Sequence, residues 1–208
     1  MFSAVIISLI AAAPAAAAPP GQVLATLETP DVPGAYKEVA EGRGMTGAAT
    51  ELVCRDLLAD ELLLCFRVVE AGKRRYVHAG DLTAWGVDIA GLEAAAAAAL
   101  DESPLEAQPI DGGGQWWLGA VPAGREATLL LQPEWLAAVG PRPVVGVPAA
   151  GVVMAWSAGD EELDTIVAVG VRRAFETQER PISPLCLEWT GAGWKAWGEA
   201  RPGATSQP

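Results

Sequence analysis

Histidine is nearly missing from this chain: His78 is the only one among 208 residues. Any Ser-His-Asp or Cys-His mechanism must therefore take its base from that position, and a histidine-rich zinc site is excluded. No Gly-x-Ser-x-Gly nucleophile elbow occurs, and Ser183, between Pro181 and Pro184, reads as a turn residue. Gly112-Gly113-Gly114 lacks the lysine and hydroxyl of a phosphate-binding loop and leads into a strand, not a helix. There are three cysteines, none in a Cys-x-x-Cys unit, so a thioredoxin-type redox motif is excluded. The acidic run Asp160-Glu161-Glu162-Leu163-Asp164 has neither the spacing nor the glycine of an EF-hand. These absences leave no expected cofactor and no expected metal.

Basic residues are also scarce. None precedes the apolar, alanine-rich stretch from Val5 to Ala18, which carries no charge and ends in overlapping Ala-x-Ala triplets. It falls short of the ~20 residues needed to span a bilayer and reads as a secretory signal peptide over residues 1–17, cut after Ala17. The expected product is periplasmic or extracellular, with no stable membrane anchor after cleavage. The net charge of −12 then belongs entirely to the mature part, where it opposes nucleic acid and anionic lipid. The one dense basic cluster, Lys73-Arg74-Arg75, reads as a solvated turn between strands.

The remaining length suits a single domain. Residues 18–47 are rich in Gly and Pro and read as an irregular lead-in, with at most a short helix near Tyr36 to Glu41. An α/β (α+β) domain over 48–199 follows, then a disordered tail over 200–208. Its sheet is expected to be mixed or mainly antiparallel, with about three packing helices. Glu51–Leu58 and Glu61–Val69 form a hairpin turning at Ala59-Asp60, which sets Cys54 directly opposite Cys65. A disulfide and a pair of buried thiols both fit that register, while Cys186 reads as a core thiol. Asp88 can cap a helix from Ile89 to about Leu100, and Pro104 and Pro109 punctuate a loop. Gln115–Val121 reads as a strand, Pro133–Val139 as a short helix, and Pro143–Val147 with Gly151–Trp156 as a hairpin. The clearest helix is Asp160–Thr177, whose Leu163, Ile166, Val167, Gly170, Val171, Ala174 and Phe175 recur at three- and four-residue steps. A last hairpin, Leu185–Thr190 with Trp194–Gly198, brings Trp189 and Trp194 together at its tip.

Arg75-Tyr76-Val77, Asp81-Leu82 and Trp85-Gly86-Val87 are followed by a helix, Leu129–Leu136, the Val144–Pro148 strand and Pro181-Ile182-Ser183-Pro184-Leu185 before a Trp hairpin. In this order, from about Glu51 to Trp197, the chain resembles the bacterial YtpQ-like family, a domain of unknown function. The resemblance implies a mixed α/β domain and brings no reaction, cofactor or partner with it. Members often place Arg-Asp after the proline corresponding to Pro148; here Ala149-Ala150-Gly151 follow.

The functional expectation is an exported, non-enzymatic domain that binds a protein or peptide through Trp116, Trp189 and Trp194. The competing expectation is an envelope hydrolase using paired carboxylates, or His78 oriented by Asp81.

Overall fold

In a computed structural model of the chain, residues 19–98, 105–109, 115–120 and 125–198 are described. The expected signal peptide, the triple glycine and the expected tail lie outside them. The chain folds as a single α+β unit in which every strand pairing is antiparallel, with the strands divided between two sheets.

The expected irregular lead-in is instead the start of the first sheet. Gln22–Glu28 forms β1, and Val32–Gly42 forms α1, with Pro33 in its first turn. Val23, Ala25 and Leu27 alternate toward the core, and β1 pairs along β3 from Gln22↔Val69 to Glu28↔Leu63. The prolines and glycines that suggested a loop are the punctuation around these two elements.

β2 (Cys54–Leu58) and β3 (Leu62–Glu70) form the expected hairpin, with Cys54↔Cys65 in register and their sulfurs bonded. Ala71-Gly72 then turns the chain into β4 (Lys73–Tyr76), which pairs β3 beyond the end of β2. The basic cluster is therefore a strand, not a turn. Its Arg75 is bound to both Asp81 and Glu70, while Lys73 and Arg74 are exposed.

Two helices follow, α2 (Ala79–Trp85) and α3 (Ile89–Ala97), the latter capped by the Asp88 carboxylate accepting from the Gly91 N–H. The region expected to be a loop between prolines carries strand β5 (Leu105–Pro109), which pairs β6 (Gln115–Ala120). Residues 126–131 and 133–138 coil as 3-10 turns. β7 (Pro143–Ala149), β8 (Val152–Ser157), α4 (Glu161–Thr177), β9 (Cys186–Trp189) and β10 (Trp194–Ala196) complete the chain. The second sheet runs β10-β9-β7-β8-β6-β5.

One core joins the sheets. Phe66, Leu64 and Val68 of β3 share a cluster with Val145 and Val147 of β7, Ala155 of β8, Leu187 of β9, Leu92 of α3 and Leu129. A second cluster lies on the opposite face of the second sheet, beneath α4. The Asp160 carboxylate caps α4 by accepting from Glu162 and Leu163 N–H. Its covered stripe is Leu163, Val167 and Val171, four residues apart, narrower than the periodicity suggests: Ile166 is 48% exposed and Phe175 only half-buried. The helix lies so close to β7 that a side chain at Gly146 would put its Cβ 2.6 Å from a Val171 methyl. Glycine is what permits that approach.

Candidate functional site

Trp189 and Trp194 are cross-strand partners on β9 and β10, with ring centroids 5.2 Å apart. Alternation points Trp189 toward the first sheet, because its neighbour Glu188 faces the other way. The Trp194 indole N–H donates to the Leu130 carbonyl at 3.1 Å, which fixes that ring against the 126–131 turn. Both rings remain partly exposed. Together they form one wall of a cavity of about 600 Å³.

The opposite walls come from distant sequence. β2 supplies Arg55, Asp56 and Leu57, and α3 supplies Glu93 and the small side chains of Ala90, Ala94 and Ala97. Alanine at these helix positions leaves room that a leucine would fill. Arg55 and Glu93 are hydrogen-bonded to each other across the cavity wall. Asp56 is exposed and forms no ion pair with any described residue. A second depression continues past Leu57 and Trp194 between the edge strands β2 and β10, so the site is an elongated groove. Trp116 does not join it. That residue packs against the cluster beneath α4, on the face of the second sheet opposite Trp189.

His78 occupies a different place. It is the N-cap of α2, its side chain 12% exposed, under α1. Nε2 lies 2.7 Å from the Tyr36 hydroxyl and Nδ1 3.5 Å from Asp81 Oδ2. Asp81 is itself engaged: it receives two hydrogen bonds from the Arg75 guanidinium at 2.6 and 3.1 Å and one from the His78 backbone N–H at 2.9 Å. Next to this array Tyr76 donates to Glu28 at 2.7 Å, Arg67 stacks on the Tyr76 ring, and Tyr36 packs edge-on against it. Burial pushes the imidazole below its ordinary range and outweighs the pull of Asp81 in the other direction. For Asp81, burial acts upward, but the Arg75 hydrogen bonds and the His78 N–H hold it below the usual carboxylate range. The ring is thus neutral at pH 7 with both nitrogens directed at protein groups, an arrangement that locks α1 and α2 to the first sheet.

A histidine whose native affinity for protons is depressed binds fewer protons folded than unfolded, so its contribution to stability is complete above about pH 6.5 and is lost as pH falls below that value. His78→Gln is expected to flatten the pH dependence of the urea midpoint between pH 7 and pH 5 relative to wild type. Equal slopes in the two proteins would reject this account.

The competing chemistry named no particular pair of carboxylates, but carboxylates line a second cavity. A cavity of about 640 Å³ between α4 and β10 is lined by Asp164, Glu188 and Trp197. Asp164 accepts from the Trp156 indole N–H at 2.9 Å and from Gly159 N–H. Glu188 is clamped between Arg142 at 3.2 Å and Lys195 at 3.0 Å; burial acts upward, yet these two cations hold it below the usual range. A general acid needs the reverse, a carboxyl kept protonated near neutral pH. Cys186 is a buried strand thiol pushed up to about 12 by burial, far from the thiolate form.

The groove could be found only in part from sequence. Turn chemistry indicated the Trp189–Trp194 pair, but nothing local marks Arg55, Glu93 or the α3 alanines as its neighbours. No family model, no curated protein and no solved structure matches the chain.

Proposed function

We propose that this protein is an exported, non-enzymatic domain that binds a peptide or an extended segment of another protein in the groove walled by Trp189 and Trp194. One observation carries the reading: a partly exposed indole pair faces an alanine-lined helix across an open groove between two sheet edges. Aromatic side chains in such positions supply large contact area at small conformational cost, and they dominate many binding interfaces. The Cys54–Cys65 bond supports export, since disulfides persist in oxidising compartments. The resemblance to the YtpQ-like family belongs to the same proposal and leaves the binding role open. The hydrolase alternative is weakened because His78, Asp81, Asp164 and Glu188 are all committed to partners within the fold.

A random peptide library displayed on phage and selected on the purified protein tests this directly. Selected peptides are expected to bind the Trp189→Ala variant at least about tenfold more weakly, the usual scale of a central aromatic contact. Failure to enrich any sequence, or enriched peptides indifferent to Trp189→Ala, would overturn the reading.

A further inference from the structure

The face of the second sheet opposite the groove carries a cavity of a different character. α4 seats over β7 and β8, so the same face of β9 and β10 stays open beside it and floors the cavity of about 640 Å³, a size typical of small-ligand sites. Glu188 and Lys195 are cross-strand partners directed to this face, and alternation brings Trp197, two residues after Lys195, to it as well. The Trp197 ring stands nearly perpendicular to the buried Trp156 ring, with centroids 5.3 Å apart, and is itself only half-buried.

The polar groups around that ring are fixed in place without being used up. Asp164 accepts one N–H on each oxygen, from Trp156 and from Gly159. Glu188 does the same, with Arg142 on Oε1 and Lys195 on Oε2. Each carboxylate oxygen has room for a second donor. The Arg142 side chain engages the clamp through Nε alone, so its two terminal nitrogens have no partner among the described residues; Lys195 keeps two of its three N–H groups. Charge selects little here. An anion would meet Asp164, Glu188 and Glu161 on the walls, and a further cation would meet Arg142 and Lys195. A hydroxyl, which donates and accepts without charge, complements such a mixture of free donors and acceptors. A patch of C–H bonds complements the indole, whose face carries the negative end of the ring quadrupole.

We propose that this cavity binds a neutral saccharide of one or two pyranose rings, one ring stacked on Trp197 and its hydroxyls shared among Asp164, Glu188 and Arg142. A pyranose is the ligand class that joins a C–H face to a rim of hydroxyls. The site is separate from the groove of Trp189 and Trp194, so either can be lost while the other persists.

Saturation-transfer NMR on the full chain tests the proposal, with cellobiose, maltose and diacetylchitobiose as neutral sugars and glucuronate and glucosamine as charged ones. At least one neutral disaccharide is expected to receive saturation, and the charged sugars less. Titration of the responding sugar should show binding about fivefold weaker in Arg142→Ala, the scale of one net hydrogen bond, at a side chain exposed enough to be removed without disturbing the fold. Trp197→Ala should abolish the response and Trp197→Phe should keep part of it, with urea midpoints confirming that each variant is folded. Arg142→Ala and Trp197→Phe decide the matter even where Trp197→Ala does not fold. Saturation of none of the sugars would overturn the proposal, and so would a response unchanged in both of those variants. A stronger response from glucuronate or glucosamine than from every neutral sugar would overturn the neutral class. A response lost in Trp189→Ala and kept in Trp197→Ala would place the sugar in the groove, overturning this site and the peptide reading together.

Discussion

Replacing Phe66 by alanine is expected to destabilise the protein by about 3–5 kcal/mol, the range for removing a fully buried aromatic ring. Phe66 is inaccessible to solvent and sits on β3, the strand that β1, β2 and β4 all pair with. Its backbone is held from the same side twice: its N–H donates to the Val53 carbonyl at 3.2 Å, and its carbonyl accepts from the Val77 N–H at 2.9 Å. The ring therefore cannot follow a collapse of the cavity, and the surrounding Val23, Leu64 and Val145 belong to structure that is equally constrained. Phe175→Ala on α4 is the control. That ring is half-buried at the edge of the helix, so its removal should cost about 1 kcal/mol, less than half of a full burial. Urea unfolding at pH 7 measures both. A Phe66 variant that loses less than about 1 kcal/mol would show that the two sheets do not share one tightly packed core.

The same contrast explains what was legible in the sequence. Local signals were reliable at the caps, where the Asp88 and Asp160 side chains reach free N–H groups, and at Cys54 opposite Cys65; the β2–β3 turn itself is one residue longer than Ala59-Asp60, and a bulge between Asp56 and Leu58 restores the expected register. Where burial depends on a distant partner, the pattern alone misled. Ile166 fits the apolar stripe of α4, yet the sheet is met only along Leu163, Val167 and Val171 because Gly146 draws that line inward. β1 was obscured for a related reason. Its alternation is short, framed by Pro20, Gly21 and Pro30, and its stability comes from pairing with β3 some forty residues later. The groove has the same origin: Trp189 and Trp194 meet by a local turn, whereas Arg55 and Glu93 come together only through the packing of α3 beside β2. His78 and Asp81 were legible as a pair, and a short helix at Tyr36 was too, but the contacts of Tyr36 and Arg75 with them were not, since these come from α1 and β4, which meet α2 only through the tertiary fold.

Loss of the Cys54–Cys65 bond is expected to lower stability by about 2–3 kcal/mol, the chain-entropy contribution of a closed loop of this length. The two cysteines are 11 residues apart in sequence and directly opposed on β2 and β3, so the bond restrains the unfolded chain while ladder hydrogen bonds still hold the strands in the native one. By alternation Cys54 points away from the side of β2 that carries Arg55 and Leu57 into the groove. The cross-link thus acts on the groove from behind, by keeping β2 seated on β3. The Cys54→Ser, Cys65→Ala double variant should unfold at lower urea concentration than wild type at pH 7, and the difference should vanish when wild type is measured with its disulfide reduced. If β2 depends on the bond for its position, peptides selected on wild type will also bind the double variant more weakly at urea concentrations where it is still folded. Unchanged urea midpoints would mean that the bond contributes nothing to the folding equilibrium. Reduced midpoints with unchanged peptide affinity would assign the bond to stability alone and leave the groove to be shaped by α3 and the tryptophan hairpin.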